Sequence, residues 1–200
     1  MLVFSVVFGV LVGSWYHIRP QSVPSSWNRL PVALTARADR PARLDARQKV
    51  SRCRVHDGLP DHACTPGSVF PNATLEEICV SGYTQRVRKV SAATKRRVYQ
   101  AYGFTYPQPR GAFEVDHLIP LAIGGNNEIS NLFLEAAEPR PGYHEKDLVE
   151  IYLRQQVCAR KMDLGPAQEQ VATDWVAIYR AFSPGELKEL LQESRTSWEE

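Results

Sequence analysis

The stretch from Phe113 to Ala136, FEVDHLIPLAIGGNNEISNLFLEA, constrains the fold of this chain more than any other part of the sequence. Its apolar residues alternate imperfectly, and Gly124-Gly125-Asn126 is a strong turn signal. The pattern predicts a β-hairpin from Phe113 to about Leu134. Asp116 and His117 interrupt the apolar run, and a buried charge is costly unless it is paired or bound to a metal. The two residues therefore form either a structural hydrogen bond or a chemical site.

The geometry of a strand limits how Asp116 and His117 can act together. Adjacent residues of a strand point to opposite faces of the sheet. Both side chains can reach one common site only if the strand is twisted or bulged at this point. Asn126 and Asn127 are interpreted as turn residues that tolerate a left-handed backbone. For Asn127 a second interpretation stays open, in which its side chain helps to orient His117.

Two helices are predicted before the hairpin. Thr74 is followed three residues later by Glu77, which is the spacing of a capping box, and a short helix is expected over Thr74–Cys79. In SAATKRRVYQAYG, Ser91 is a suitable N-cap and Gly103 stands where a helix would end.

Three more helices are predicted after the hairpin. The first runs from about His144 to Arg160, and the second begins near Pro166. A buried stripe marks the second helix, and Ser183-Pro184 ends it and starts a last amphipathic helix. The stripe residues are Val171, Trp175, Ile178 and Phe182, and the leucines of the last helix are Leu187, Leu190 and Leu191. The fold class expected is α+β, with a small hairpin-plus-helix core embedded in a mainly helical domain.

The helix after the hairpin carries a histidine of interest. His144, Leu148 and Ile151 stand at positions i, i+4 and i+7, so they share one helix face. This spacing predicts that His144 points inward, toward the hairpin. An inward histidine is either a satisfied core residue or a ligand, and the Asp-His pair on the hairpin favours the ligand.

The N-terminal residues read as a targeting segment followed by a linker. Residues 1–18 are largely apolar but shorter than the ~20 residues of a membrane span, and they are predicted to be a signal peptide or a short membrane anchor. Residues 19–47 are rich in Pro, Ser and Arg and are predicted to be a linker. We therefore expect an exported protein with no permanent membrane span beyond the N-terminal segment.

The four cysteines are compatible with two disulfides in three connectivities. Cys64 and Cys79 bracket a loop that contains Pro and Gly, which makes them a candidate pair. In the competing interpretation, Cys53, His56, His62 and Cys64 form a zinc site, although their spacing contains no CxxC pair.

The charge of the chain is divided unevenly. Residues 1–134 carry 16 Lys and Arg against 9 Asp and Glu, whereas residues 135–200 carry 8 against 13. No acidic residue occurs between Glu77 and Glu114, and six basic residues cluster between residues 86 and 97: Arg86, Arg88, Lys89, Lys95, Arg96 and Arg97. The plain interpretation is a solvated helix face, and beside a phosphate-cleaving site these residues would instead bind nucleic acid.

A site that hydrolyses a phosphodiester has defined chemical needs. A base must take a proton from water, and histidine does so near neutral pH. A divalent cation can offset the charge that develops on the phosphate and the leaving oxygen. Asp116, His117 and His144 supply residues of the right types.

The stretches EVDHLIPLAIGGNNEISNLFLEA and HEKDLVEIYLRQQVC together resemble the HNH nucleases, also called His-Me finger or ββα-metal endonucleases. The wider segment from about Cys64 resembles a bacterial, exported, cysteine-containing subgroup. The resemblance implies a nuclease domain over residues 48–200, with its motif core at 113–160 and a C-terminal helical scaffold at 165–195.

The resemblance also implies roles for individual residues. His117 matches the histidine that acts as general base, and Asn131 the asparagine that holds the hairpin loop and orients that histidine. Asp116 matches the first metal ligand and His144 the ligand from the helix. The ligand position from the helix is Asn or His in this family, and no Asn occurs from Ala136 to Gly165. His144 must therefore serve, with Asp147 as the fallback.

The activity implied is cleavage of DNA with one bound divalent ion. Mg²⁺ is expected first, with Mn²⁺, Zn²⁺ and Ni²⁺ as alternatives, since oxygen and imidazole ligands admit all four. DNA is the expected partner and RNA the alternative. Low sequence specificity is expected because the sequence contains no zinc-finger or helix-turn-helix pattern. The sequence does not indicate an oligomeric state.

Two other functions are compatible with the sequence. One is a catalytically inactive member of the same fold, acting as a secreted nucleic-acid-binding or structural module. The other is a disulfide-stapled protein-binding domain with no role toward nucleic acid, which would show no salt-sensitive binding to DNA.

Overall fold

A computed structural model describes residues 41–197, and the predicted signal peptide or anchor at 1–18 lies outside them. The helices and strands follow one another as β1 (Val55–His56), β2 (Leu59–Pro60), α1 (Leu75–Ile78), α2 (Tyr83–Val87), α3 (Ala92–Ala101), β3 (Phe113–His117), β4 (Leu132–Ala136), α4 (Tyr143–Cys158), α5 (Leu164–Arg180) and α6 (Pro184–Ser197). Two antiparallel two-stranded sheets, β1–β2 and β3–β4, stand among these helices. The predicted α+β class is confirmed.

The last residues of the predicted linker lie against the domain. The backbone N–H of Ala42 donates to Oε1 of Gln168 at 2.8 Å, and Leu44 packs against the core. Residues 41–47 contain no helix or strand, and most of the linker, 19–40, is outside the described residues. Within residues 41–197, no helix is long and apolar enough to cross a membrane.

The predicted caps of the two early helices are confirmed. Thr74 Oγ1 accepts from the Glu77 N–H at 3.3 Å, and Glu77 Oε2 accepts from the Thr74 N–H at 3.3 Å, so the capping box is complete. Ser91 Oγ accepts from the Thr94 N–H at 3.1 Å. Helix α3 ends just before Gly103, whose φ of 81° is the left-handed conformation that favours glycine.

The C-terminal helices form the predicted scaffold. Along α5, Val171 and Trp175 are fully buried and Ile178 is nearly so, which confirms the stripe. Phe182 lies beyond the end of α5 and packs at the margin of the core. Ser183 caps α6 through a hydrogen bond from the Glu186 N–H to its Oγ at 3.3 Å.

The hairpin is present, but its connection differs from the prediction. β3 and β4 pair in an unbroken antiparallel register from Phe113↔Ala136 to His117↔Leu132. The segment between them, 118–131, is a long loop with 3-10 turns at Leu121–Ile123 and Ile129–Asn131. The loop closes tightly on itself, since a Cβ on Gly125 would lie 1.8 Å from the carbonyl oxygen of Ile119. A wide loop folded onto the core therefore replaces the simple Gly-Gly turn.

The predicted disulfide between Cys64 and Cys79 is wrong. Cys53 bonds to Cys64, and Cys79 bonds to Cys158. The first bond encloses β1 and β2, and the second joins the end of α1 to the end of α4. The prediction paired Cys64 with Cys79 because they are close in sequence. Packing of α1 on α4 instead brings Cys79 to Cys158, which is 79 residues further along the chain.

The alternative zinc site is also wrong. The sulfurs of Cys53 and Cys64 are consumed in a disulfide, so they cannot act as thiolate ligands. The ring of His56 contacts Asp57, and that of His62 contacts Asp45. Two disulfides and no free cysteine among the described residues indicate an oxidising environment.

The disulfide connectivity can be tested by mass spectrometry without reduction. No Lys or Arg lies between Arg54 and Arg86, so trypsin alone leaves Cys64 and Cys79 on one peptide. A second protease that cuts after Glu77 separates them. We expect the fragment 78–86 to be joined to 155–160 through Cys79 and Cys158. A fragment that joins Cys64 to Cys79 would contradict the structure.

Candidate active site

A buried lysine ties helix α4 to strand β3. Lys146 is 0% exposed, and its Nζ donates to Asp116 Oδ2, to the carbonyl oxygen of His117 and to Glu150 Oε1, each at 2.7 Å. An ammonium group has three N–H donors, so all of them are satisfied. Burial lowers the pKa of Lys146, but Asp116 and Glu150 outweigh that effect and raise it, so the ammonium stays charged.

Carboxylates crowd around this lysine. Burial raises the pKa of Asp116, but the Lys146 ammonium more than offsets it and holds the pKa below its usual value. Burial, together with Glu150 and Asp116, raises the pKa of Asp147 to about 8. Burial and the neighbouring Asp116 also raise the pKa of the exposed Glu114. More carboxyl groups therefore surround Lys146 than it alone can neutralise, and the raised pKa of Asp147 favours its protonated form.

Glu135 is the most deeply buried member of the acidic group. It is 1% exposed, and neither carboxyl oxygen has a hydrogen-bond partner among the described residues. Burial raises its pKa well above the usual value, and the nearby Asp116 raises it further. Glu135 is directly opposite Glu114 in the β3–β4 register, so both belong to the face that carries Asp116.

His117 belongs to the opposite face of β3. The ladder runs through Asp116 and His117 without a bulge, so their side chains leave the strand on opposite sides. The condition for a shared site, a twist or bulge at this point, is not met within the ladder. His117 is 2% exposed, and burial lowers its pKa to about 4, so the imidazole is neutral at physiological pH.

Asn127 defines the tautomer of His117. Its Nδ2 donates to the carbonyl oxygen of Val87 at 2.8 Å, while its Oδ1 accepts from the Lys89 N–H at 3.0 Å. The same Oδ1 lies 3.3 Å from His117 Nε2. Because Oδ1 can only accept, Nε2 carries the hydrogen and Nδ1 keeps a free lone pair. The second interpretation of Asn127, that it helps to orient His117, agrees with this geometry.

Asn131 holds the loop that follows His117. It is 0% exposed, and its Oδ1 accepts from the Ile119 N–H at 2.9 Å. Its Nδ2 donates to the carbonyl oxygens of Ile119 at 3.0 Å and Asn126 at 2.9 Å. These bonds fix the backbone two residues beyond His117. Asn131 thus holds the loop directly, while the contact to the imidazole itself comes from Asn127.

The predicted inward orientation of His144 is wrong. His144 is exposed at the start of α4, where its ring lies 4.2 Å from that of Tyr143. The fully buried residues of the helix are Lys146, Val149, Leu153 and Val157. These positions, i, i+3, i+7 and i+11, also follow the helical period. The stripe was not predicted because its first residue is a lysine, a residue type that is seldom buried. The spacing of the buried stripe was therefore present in the sequence. Burial of the Lys146 charge is tolerated because the ammonium is paired with Asp116 and Glu150.

The six basic residues predicted to bind nucleic acid do not all line one cavity. Arg88, Lys89 and Lys95 line a cavity of about 420 Å³ together with Val115. Val115 and His117 share one face of β3, so we call this space the basic cavity and assign it to the histidine side of the strand. All six predicted residues are exposed, but Arg86, Arg96 and Arg97 do not line this cavity.

The predicted metal ligands are Asp116 on β3 and His144 on α4. Asp116 uses Oδ2 to bind Lys146, and His144 is exposed on the solvent side of α4. Within residues 41–197, no three His, Cys, Asp or Glu side chains form a group that could hold a metal ion. The donor set nonetheless fits a hard cation, because crowded carboxylates with raised pKa values gain from a positive charge among them.

We compared the chain with protein-family models, curated proteins and solved structures, and none of them matches it. The functional interpretation therefore depends on the geometry of the site. That geometry consists of an acidic face around Lys146 and a histidine face beside the basic cavity, with β3 between them.

Replacing Lys146 by Met should strongly destabilise the protein. The change keeps an unbranched side chain one heavy atom shorter but leaves Asp116 and Glu150 without their partner, and their side chains are only 15% and 20% exposed. Breaking a buried ion pair in this way costs about 3–5 kcal/mol. Urea denaturation measures the loss, with the exposed Lys188→Met on α6 as a matched control. Equal stability of the two variants would contradict a central role for Lys146.

Proposed function

We propose that this protein is a metal-dependent endonuclease that hydrolyses phosphodiester bonds of DNA with low sequence specificity. One observation carries the proposal: a neutral, buried imidazole at His117 is held in a single tautomer by Asn127, beside a cavity lined by basic residues. The exported, HNH-like identity expected from the sequence belongs to the same proposal.

His117 acts as the general base. Hydrogen bonding at Nε2 leaves Nδ1 to take a proton from the attacking water. Burial keeps the imidazole in the unprotonated form that a base requires. Asn127 is the positioning residue, because its amide joins the imidazole to the backbone of the basic segment at Val87 and Lys89.

The basic cavity binds the phosphate backbone. Arg88, Lys89 and Lys95 are exposed cations, and Lys and Arg that neutralise phosphates supply most of the affinity for nucleic acid. Contacts of this kind hold the strand without reading its bases, which accounts for low sequence specificity.

The acidic face would hold the cation. Because His117 is the last residue of the β3 ladder, a phosphate at that end of the strand can contact both this cation and the imidazole. Asp116 and His144 are the ligands expected, with Asp147 as the alternative, and Mg²⁺ is expected before Mn²⁺, Zn²⁺ or Ni²⁺. Carboxylate oxygens suit Mg²⁺, and the negative charge around Lys146 favours any divalent ion. When bound, such an ion would offset the charge that develops on the phosphate and the leaving oxygen.

A catalytically inactive nucleic-acid-binding module is the second candidate. Its support is the Lys146 ammonium, which already supplies a positive charge to Asp116 at 2.7 Å. In this version the lysine takes the structural place of the metal, while the basic cavity still binds DNA. Export from the cell fits both candidates, because both disulfides need an oxidising compartment.

Plasmid cleavage tests the catalytic role of His117. Wild-type protein with Mg²⁺ or Mn²⁺ should nick or linearise a supercoiled plasmid, and EDTA should stop the reaction. His117→Ala should lower the rate by about a hundredfold or more, which is the usual contribution of a general base. His62→Ala is the matched control, since His62 is exposed and its ring contacts Asp45.

Each outcome of that assay decides a different point. Wild-type protein that cuts nothing with any of the four metals would favour the inactive module. Cleavage that is equal for wild type and His117→Ala would remove His117 from the mechanism and leave the nuclease activity standing.

Salt dependence tests the basic cavity. A double variant, Arg88→Gln with Lys95→Gln, removes two cations from the cavity. In EDTA, the slope of log affinity for DNA against log salt should fall by about 2 in magnitude, because each lost phosphate contact lowers it by about 1. The control is Lys188→Gln with Arg195→Gln, two exposed cations on α6. A smaller slope in the control as well would indicate a general charge effect.

A further inference from the structure

A second cavity of about 520 Å³ is lined by Phe113, two residues before the Val115 that lines the basic cavity. Its volume is in the range that accommodates a small ligand. Its lining includes the aromatic residues Tyr102, Phe104 and Phe113 and the cations Arg54 and Arg180, together with two acids, Asp57 and Glu135. We call it the aromatic cavity, and neither the catalytic residues nor the phosphate-binding residues proposed above account for it.

The aromatic wall is available to a ligand. Phe104 and Phe113 pack with their ring centroids 4.8 Å apart. Phe104 is nevertheless 41% exposed, so part of its ring is open to solvent. A flat ligand can stack on the free part of this ring pair.

The cations of the aromatic cavity are also available. Arg54 and Arg180 are exposed, and within residues 41–197 neither guanidinium makes an ion pair. Arg140, which also lines the cavity, is paired with Glu138 and Glu145. A ligand that combines a flat ring with a negative charge complements this surface, and a nucleotide has both features.

Strand β3 connects the aromatic cavity to the catalytic histidine. One face of the strand carries Phe113, Val115 and His117, which stand at every second position. Phe113 lines the aromatic cavity, Val115 lines the basic cavity, and His117 carries the base. Four residues of strand span ~13 Å at ~3.3 Å per residue, a distance that a short run of nucleotides can cover.

We propose that the aromatic cavity binds an unpaired nucleobase of the substrate strand. The base stacks on Phe104 beside Phe113, and the adjacent phosphate lies between Arg54 and Arg180. In a duplex each base is stacked and paired within the helix, so only single-stranded or locally opened DNA can fill the cavity. This inference rests on the proposed function and narrows its substrate to single-stranded or locally opened DNA.

Binding of labelled oligonucleotides tests the proposal with the full chain. Fluorescence anisotropy in EDTA compares a single strand with a duplex of the same sequence. Phe104→Ala should weaken binding of the single strand by about tenfold and leave duplex binding within about twofold, since stacking on an aromatic ring is lost only for an unpaired base. Arg180→Gln should weaken binding of the single strand more than that of the duplex, because only a strand with its base in the aromatic cavity places a phosphate beside Arg180. Leu191→Ala and Arg195→Gln on α6 are the matched controls, both at exposed positions.

Abasic oligonucleotides locate the base. In a series of single strands that each lack one base, wild-type protein should lose affinity at one position, while Phe104→Ala should be insensitive to that position. Equal binding of the single strand by wild type, Phe104→Ala and Arg180→Gln would overturn the proposal, as would a uniform response to every abasic site.

Failure of this inference and failure of the proposed function give different results. Plasmid cleavage that depends on His117, with no effect of Phe104→Ala on binding, would reject the base site alone. Loss of affinity at one abasic position, without cleavage of plasmid by the wild-type protein, would reject the nuclease activity and retain the base-binding site.

Discussion

The fully buried ammonium of Lys146 is the interaction on which the rest of this structure depends. It joins helix α4 to strand β3 through Asp116, Glu150 and the carbonyl oxygen of His117. Without it, the carboxylates on this face would repel one another in a poorly solvated space. With it, the helix is held against the hairpin and the acidic face can form. The same ammonium also fixes the backbone of the proposed catalytic residue.

Strand β3 separates two chemically different surfaces, and the proposed activity needs both. The acidic face has crowded carboxylates that favour a cation. The opposite face has a neutral imidazole, the basic cavity and the aromatic cavity. Two asparagines organise the histidine side: Asn131 holds the loop, and Asn127 holds the ring. A nucleic-acid strand along this face would meet cations and aromatic rings before it reached the base.

Local signals predicted much of the fold. The capping box at Thr74, the N-cap at Ser91 and the stripe of α5 depend on neighbours in sequence, and the structure confirms all three. Long-range features were predicted poorly. The Cys79–Cys158 disulfide follows from how α1 packs on α4. His144 is exposed because the same helix buries Lys146 instead, although lysine is seldom fully buried. Asp116, His117 and Asn131 were identified as site residues, whereas Asn127 had two open interpretations and Lys146 and Glu135 were missed.

The sequence by itself determined most of the helices, the paired strands of the hairpin, the α+β class and the candidate site residues on the hairpin, because caps, periodicity and motif spacing are properties of short segments. Only the tertiary structure decided which groups meet. It paired Cys79 with Cys158, directed Asp116 and His117 to opposite faces, and joined Lys146 to acids from two elements. The physical reason is that a buried charge or sulfur is stabilised by its partners in space, and those partners lie far away along the chain.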